Sequence, residues 1–232
     1  MNKYFDAMNI PLTDIQKNQF DRYFELLISE NEKYNLTGIV DYDEVCVKHF
    51  LDSVLIEKLG FDLQDKKVID IGTGAGFPAI PIKIMNPSVH MTCLDALNKR
   101  IGFIQMVNSE LDIDHMELVH GRAEDYGQNP IYREKYDFAV SRAVAELRLL
   151  LEFVMPFVKV NGYFIAYKSL KSKSELDDAQ NALRLLNSEL VEIKQFELPE
   201  QYGERDMLII RKNGNISKKY PRKAGVPKKS PL

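Results

Sequence analysis

Residues 67–76 read Lys-Val-Ile-Asp-Ile-Gly-Thr-Gly-Ala-Gly, and they constrain the fold of this chain more than any other segment. A β-branched apolar run surrounds a carboxylate, Asp70, and leads directly into three alternating glycines. Pro78 follows where a helix would begin, since its fixed φ and missing N–H suit the first helical turn. Strand, glycine turn and helix together predict a nucleotide-binding corner, where backbone without Cβ atoms lets a ligand approach closely.

The spacing of these glycines separates two classes of nucleotide-binding loop. A dinucleotide fingerprint, G-x-G-x-x-G, requires its third glycine at position 77, where this chain has Phe. The third glycine is instead Gly76, and the pattern D-x-G-x-G-x-G is similar to the cofactor loop of S-adenosylmethionine-dependent methyltransferases. The loop also lacks the Lys-Ser/Thr ending of a P-loop, which excludes a triphosphate cradle.

Apolar patterning divides the chain into three parts: an N-terminal helical extension (1–62), a methyltransferase domain (63–212) and a basic tail (213–232). The extension shows helical spacing, with a capping box at Thr13 and Gln16 and a second helix over about 41–58. The domain alternates strands and helices, which predicts a parallel sheet covered on both faces. Strands are expected at 67–71, 89–95, 116–120, 136–141, 162–168, 190–197 and 206–211, and helices at 78–86, 97–111, 145–155 and 172–189.

The last two strands are joined by too few residues for a crossover helix, so they can pair antiparallel. Dinucleotide dehydrogenases keep a parallel sixth strand, whereas five parallel strands closed by an antiparallel edge are typical of class I methyltransferases. The sequence therefore predicts an α/β, Rossmann-like class I S-adenosylmethionine methyltransferase. Its sheet has seven strands, is mostly parallel, and ends in an antiparallel last strand.

The tail carries a charge opposite to that of the rest of the chain. Residues 211–232 contain eight Lys and Arg side chains and no acid, so a net charge of −3 leaves −11 on residues 1–210. An acidic body with a basic tail is typical of a protein that must reach a polyanion. A solvated tail that only aids solubility is the alternative. Its prolines and Gly225 predict an extended, mobile segment.

Other classes of protein are disfavoured by what the sequence lacks. No apolar run approaches the roughly 20 residues of a membrane span, so we expect a cytoplasmic protein. Cys46 and Cys93 lie in separate predicted elements, which suits free thiols. Neither cysteine forms a Pro-Cys or Thr-Cys dipeptide at the end of a strand, since Thr92-Cys93 lies inside one. The nucleophile of covalent cytosine methylation is therefore missing. The four histidines show no metal-ligand spacing, and no metal is expected.

The ligand of an open α/β sheet lies beyond the carboxyl ends of its strands. This rule selects Gly72 after the first strand, Asp95 after the second, Ala123 and Glu124 after the third, and Arg142 after the fourth. A sulfonium cofactor has no phosphates, so acids suit its pocket and the arginine is better suited to an anionic substrate.

Three of these predictions leave an alternative open. Asp95 either accepts hydrogen bonds from ribose hydroxyls or forms a turn before the next helix. Glu124 either addresses the adenine edge or belongs, with Asp125, to an ordinary acidic helix start. Phe77 either walls the pocket or packs in the core.

No residue stands out as a general base. A ring nitrogen with an available lone pair, such as guanine N7, needs no proton removed before it attacks a methyl group. Catalysis can then consist of aligning nucleophile, methyl and sulfur, for which positioning supplies several kcal/mol.

The chain resembles the bacterial ribosomal RNA small subunit methyltransferase G family, also called glucose-inhibited division protein B. The resemblance covers nearly the whole chain and includes its basic tail. One departure is Ala96, where relatives commonly have Ser. The motifs that carry the resemblance are Tyr34-Asn35-Leu36-Thr37, His49-Phe50-Leu51-Asp52-Ser53, the loop from Asp70 to Pro78, Asp95 with Leu97 and Lys99-Arg100, Arg122-Ala123-Glu124, and Ser141-Arg142-Ala143.

This resemblance implies methylation of guanine N7 in the decoding-region loop of 16S rRNA, with S-adenosylmethionine as methyl donor. It also implies that Arg142 borders the cofactor, in place of the substrate role given above. The predicted cofactor-binding residues are Gly72, Gly74, Gly76, Phe77, Asp95, Ala123, Glu124 and Arg142.

The expected partner is 16S rRNA or the small ribosomal subunit, bound by a monomer. Predicted phosphate contacts are Lys99, Arg100, Lys168, Lys219, Arg222 and Lys223. Deleting 213–232 should weaken RNA binding and flatten its salt dependence while cofactor affinity stays the same. The alternatives are a nicotinamide-dependent oxidoreductase and a non-catalytic RNA-binding factor.

Overall fold

The computed structural model describes residues 1–142, 145–169 and 172–232. Seven strands form one sheet in the order β3-β2-β1-β4-β5-β7-β6. Strands β1 to β5 run parallel, whereas β7 pairs antiparallel with both β5 and β6. The predicted class I fold, with its antiparallel last strand, is confirmed. The strands are β1 Lys67–Ile71, β2 His90–Asp95, β3 Met116–His120, β4 Tyr136–Arg142, β5 Val158–Lys168, β6 Ser188–Glu197 and β7 Glu204–Lys212.

Helices cover both faces of the sheet and build the N-terminal extension. The predicted capping box is present, with Thr13 Oγ1 accepting the Gln16 N–H at 3.3 Å. The helices are α1 Asn2–Ala7, α2 Asp14–Tyr34, α3 Tyr42–Val45, a π-helix Cys46–Leu51, α4 Asp52–Val54, a 3₁₀ helix Leu55–Leu59, α5 Ala79–Met85, α6 Asn98–Glu110, α7 Ala123–Tyr126, α8 Leu147–Val154, α9 Ser172–Asp178, α10 Gln180–Leu185, a 3₁₀ turn Pro199–Gln201 and α11 Val226–Lys229.

Two predicted helices differ from the observed ones. The helix expected over 41–58 is a continuous helical segment that changes from α to π and then to 3₁₀ geometry. The helix expected over 172–189 is divided into α9 and α10, and β6 already begins at Ser188. Asn187 ends the helical run because it adopts the left-handed conformation, with φ at +46°.

The alternation of side chains along β1 separates two apolar cores. Val68 faces the core that includes Phe20, Tyr23 and Phe50 of the N-terminal extension. Ile69 faces a second core, built with α8 and α10. The extension is therefore packed against one face of the sheet, on the side where β1 turns into α5.

The basic tail packs against the second face. Ile216 and Tyr220 are buried in its core. The Arg222 guanidinium binds both oxygens of Glu152 on α8, at 2.9 and 2.6 Å, and that carboxylate is fully buried. The expectation of an extended tail is thus wrong for this segment, because composition does not reveal the apolar anchors and the buried acid that hold it.

Among the helices of the described segments, none is long and apolar enough to cross a membrane. The same residues contain no group of three His, Cys, Asp or Glu side chains arranged to hold a metal ion.

Candidate functional site

The glycine turn after β1 bends back onto the end of β2. The N–H groups of Gly72 and Thr73 both donate to the Leu94 carbonyl, at 2.8 and 3.2 Å. The next glycine, Gly74, has a φ of +61°, which a residue with a Cβ adopts only with strain. The turn is therefore held open toward the carboxyl ends of β1 and β2.

Gly76 serves packing rather than the lining of the site. Its φ is +93°, and a Cβ there would lie 2.9 Å from the hydroxyl oxygen of Tyr23 and still closer to Ile80. The glycine thus lets α5 and the N-terminal extension approach the turn. Gly76 is predicted to bind the cofactor, but it is not among the residues that line the space beside the turn.

Two cavities meet beside the turn. The first, of about 580 Å³, runs along the turn and past the aromatic ring of Phe77 toward Arg142. The second, of about 230 Å³, is lined by Ala123 and Glu124 beyond β3. Both are bordered by the same four residues, which are Gly72, Asp95, Ala96 and Lys228. We call them together the cofactor cavity.

Asp95 makes the turn that its sequence position allows, and its contact with ribose hydroxyls stays a prediction. Its Oδ1 accepts the Leu97 N–H at 2.9 Å, which makes the turn before α6. Its Oδ2 accepts the Gly74 N–H at 2.9 Å and pairs with Arg100 at 3.2 Å. The same carboxylate borders both parts of the cofactor cavity. It therefore ties the glycine turn to β2 while facing the ligand space.

We expect Asp95→Ala to weaken S-adenosylmethionine binding on the order of tenfold, because the turn loses a charge-assisted hydrogen bond. Isothermal titration calorimetry measures the change in dissociation constant. Asp125→Ala removes an exposed acid outside the cavity lining and is the matched control. Equal affinities of the two variants would contradict the assigned role.

Phe77 is both buried and part of the cavity wall, so its two predicted roles coexist. The His49 ring stacks on it at 4.6 Å between centroids, and the Arg142 guanidinium carbon lies 5.0 Å above it. Burial and then the Arg142 charge lower the pKa of His49 to about 3, so this imidazole is neutral. Its Nδ1 lies 3.3 Å from Arg142 Nη2 and 3.2 Å from the Lys48 carbonyl oxygen, and its Nε2 lies 2.7 Å from Thr37 Oγ1, so both ring nitrogens are engaged.

The π-helix Cys46–Leu51 explains how Arg142 is held. Its Lys48 carbonyl accepts from Arg142 Nη1 at 2.9 Å. The same nitrogen pairs with Asp52 at 2.9 Å, and Arg205 Nε lies 3.0 Å from the other oxygen of that carboxylate. Asp52 is almost completely buried, so it fixes two guanidinium groups at one place. Ala143, in the motif with Arg142, lies outside the described residues.

A third cavity, of about 580 Å³, adjoins the cofactor cavity through His49 and Arg142, which line both. We call it the acceptor cavity. Its cations are Lys48, Arg142, Lys168 and Arg205, and its acids are Asp52 and Glu175. Each acid is engaged: Asp52 by the two arginines, and Glu175 by Lys168 at 2.6 Å and by the Leu147 N–H at 2.8 Å.

Asp70 is fully buried directly before the glycine turn. Neither of its oxygens has a hydrogen-bond partner of good geometry among the described residues. Burial raises the pKa of this carboxyl to about 7, although nearby Thr73, the Ala79 amide and Arg142 oppose the rise. Asp70 is not among the residues that line the cofactor cavity.

The predicted RNA contacts have different environments. Lys99 donates to the Tyr34 carbonyl at 2.9 Å and is exposed, as are Lys219 and Lys223. Lys168 lines the acceptor cavity. Arg100 lines the cofactor cavity and pairs through Nη1 with Asp95, and Arg222 is held by the buried Glu152. The phosphate contacts of all six residues stay predictions.

Sequence reasoning missed several residues of the site, among them the four residues Thr37, His49, Asp52 and Lys228. The first three lie in the motifs by which the chain resembles the family, and these motifs could have identified them. The strand-end rule could not select any of the four, because they lie on the extension and the tail.

Comparison with known proteins shows which family has this sequence and this site. The sequence model of the family described as rRNA small subunit methyltransferase G matches residues 16–205. A relative named Ribosomal RNA small subunit methyltransferase G, from Brevibacillus brevis, is 50% identical over 97% of this chain and 95% of its own length. The chain belongs to the rRNA small subunit methyltransferase G family. A member from Staphylococcus aureus is 48% identical over 97% of this chain and 93% of its own length.

Solved structures share the fold of this family at low sequence identity. Precorrin-6y C5,15-methyltransferase from Geobacter metallireducens has a TM-score of 0.53 and 16% identity, over 70% of this chain and 87% of that one. M. jannaschii TYW2 in complex with AdoMet has a TM-score of 0.50 and 9% identity, over 66% of this chain and 71% of that one.

The site fits S-adenosylmethionine, and the chain is an S-adenosylmethionine-dependent methyltransferase. The acids on the lining suit a ligand with sulfonium and ammonium charges. Gly72, Gly74, Phe77, Asp95, Ala123, Glu124 and Arg142 border the space in which it would bind, and their individual contacts with it stay predictions.

Proposed function

We propose that this chain transfers a methyl group from S-adenosylmethionine to N7 of a guanine in 16S rRNA of the small ribosomal subunit. It would act as a monomer in the cytoplasm. The observation that carries the proposal is the acceptor cavity, which adjoins the cofactor cavity and has no free base among its described residues. His49 is neutral with both ring nitrogens engaged, and both acids are engaged as well.

Guanine N7 suits such a cavity because its lone pair attacks without prior loss of a proton. S-adenosylmethionine, when bound, supplies an electrophilic methyl group on sulfur. The chain then has to hold the base, orient it and exclude water. His49 and Arg142 line both cavities, so they lie where orientation is decided.

The cations of the acceptor cavity support an RNA substrate. The cavity lining has four cations and two acids and is therefore net positive, although Lys168 pairs with Glu175 and Arg205 with Asp52. RNA brings phosphates to any base that it presents. A target base has to be splayed out of its stack to enter, as bases in single-stranded RNA commonly are when proteins recognise them.

The proposal is tested by methyl transfer from labelled S-adenosylmethionine to small subunits, naked 16S rRNA and tRNA, followed by mapping of the modified nucleoside. Transfer confined to 16S rRNA and yielding 7-methylguanosine is expected. Substrate RNA carrying 7-deazaguanosine at the mapped position lacks the attacking nitrogen and should accept no methyl group. Label on another atom or only on tRNA would overturn the proposal.

The exposed tail lysines are expected to contribute phosphate contacts. Replacing Lys219 and Lys223 with Gln should lower the slope of log affinity against log salt by between about 1 and 2, since each contact releases about 0.7 to 0.9 counterion. Filter binding to 16S rRNA fragments at several salt concentrations measures the slope. Lys3→Gln with Lys33→Gln, two exposed lysines of the extension, is the control. Equal slopes for both pairs would exclude Lys219 and Lys223 as RNA contacts.

A further inference from the structure

The C-terminal tail reaches the cofactor cavity through one side chain. Lys228 borders both parts of the cavity, beside Gly72, Asp95 and Ala96. Among the described residues that line the cavity, no other comes from after β7. Lys228 is exposed, as are its neighbours Lys223 and Lys229, but those two do not line the cavity.

The segment that carries Lys228 is closed into a loop by Arg222. The backbone N–H and the guanidinium of Arg222 donate to Glu152 on α8, at 2.6 to 2.9 Å. The guanidinium also donates to the Ser230 carbonyl at 2.8 Å, so one side chain holds both ends of residues 222–230. The ion pair with the fully buried Glu152 fixes this loop to the domain.

Two further contacts place the loop against the third-strand side of the cavity. The Gly225 N–H lies 3.3 Å from Glu124 Oε1, and Glu124 itself lines the cavity. Pro227 is buried beside Lys228. Lys228 is therefore positioned by a loop that is held at three points: by Glu152, by Glu124 and by the burial of Pro227.

We propose that Lys228 is a cofactor-contacting residue and that Arg222 is the positioning residue that holds it there. The Lys228 ammonium makes no hydrogen bond or ion pair with the rest of the described chain. S-adenosylmethionine and S-adenosylhomocysteine both carry a carboxylate and ribose hydroxyls, which accept hydrogen bonds from an ammonium group. The tail is thereby a wall of the cofactor site, in addition to its role toward RNA.

This assignment replaces the expectation that removal of 213–232 leaves cofactor affinity unchanged. That expectation treated the tail as a separate basic segment. A chain that lacks the tail also lacks a residue of the cofactor cavity, so it should bind both nucleosides more weakly.

The test compares neighbouring lysines in the full-length protein without RNA. Calorimetric titration with S-adenosylhomocysteine and with S-adenosylmethionine should show Lys228→Ala weakening both by about tenfold, the loss typical of one charge-assisted hydrogen bond. Lys228→Arg should restore most of the affinity. Lys229→Ala removes the same charge one residue away and should stay within twofold of the wild type.

A second pair of variants tests positioning. Replacing Arg222 with Met and Glu152 with Leu together removes the ion pair without leaving a buried charge. This double variant should lose cofactor affinity by a similar factor, and adding Lys228→Ala to it should cause little further loss. Such non-additivity indicates that Arg222 acts through Lys228, since a general loss of stability would combine additively.

Unchanged cofactor affinity in Lys228→Ala, with thermal unfolding like that of the wild type, would overturn the proposal. Weakened binding of rRNA alone would overturn it as well and would assign Lys228 to the RNA surface. Because the titrations contain no RNA, their outcome is independent of whether the methyl group goes to guanine N7.

Discussion

Replacing Asp70 with Asn is expected to change how the stability of this protein depends on pH. Burial raises the pKa of this carboxyl from 3.8 to about 7, so the folded chain binds a proton that the unfolded chain has lost. The free energy of unfolding therefore falls as pH rises from about 4 to about 7. At roughly 1.4 kcal/mol for each pH unit in that interval, the group costs the wild type on the order of 4 kcal/mol above neutral pH.

The Asn variant does not titrate and should lose this decline. The measurement is the free energy of unfolding from urea titrations at several pH values between 4 and 8, in the wild type and the variant. The difference between the two proteins should shift in favour of the variant by several kcal/mol toward pH 8. Asp125→Asn, at an exposed position, is the control. Parallel pH profiles for wild type and Asp70→Asn would contradict the assignment.

The part of the site that the sequence predicted lies at the ends of parallel strands. Gly72, Asp95, Glu124 and Arg142 each lie at or beyond the end of a strand, and a parallel sheet brings such ends to one edge. The glycine spacing and the antiparallel last strand then distinguished the methyltransferase fold from that of a dehydrogenase. These predictions needed only short-range patterns and one topological rule.

The rest of the site depends on contacts between segments far apart in the chain. Arg142 binds the Lys48 carbonyl across 94 positions, and Glu152 binds Arg222 across 70. No local periodicity reports such a pairing. Charge counts mislead for the same reason, because Lys212 and Arg222 were counted as free cations of the tail. Lys212 is in fact fully buried against Glu134, and Arg222 is fixed by Glu152.

The second large effect is expected at Asp52. This carboxylate lies between the guanidinium groups of Arg142 and Arg205, at 2.9 and 3.0 Å, with almost no solvent exposure. Asp52→Asn leaves two neighbouring cations without their counter-charge, which should lower the free energy of unfolding by about 3 kcal/mol. It should also lower the rate of methyl transfer on the order of a hundredfold, because Arg142 borders both cavities and loses its fixed position.

The two consequences are separated by measuring them under different conditions. Urea unfolding gives the loss of stability, and methyl transfer at a temperature where the variant is fully folded gives the loss of positioning. Glu146→Gln is the matched control, since that acid pairs with Arg148 at 3.2 Å on the surface and should contribute at most about 0.5 kcal/mol. Asp52 holds both Arg142 and Arg205. Wild-type methyl transfer in a folded Asp52→Asn protein would therefore show that the positions of these arginines do not matter for the reaction. Loss of transfer with cofactor affinity unchanged would place the requirement in the acceptor cavity, where the base has to be aligned with the methyl group.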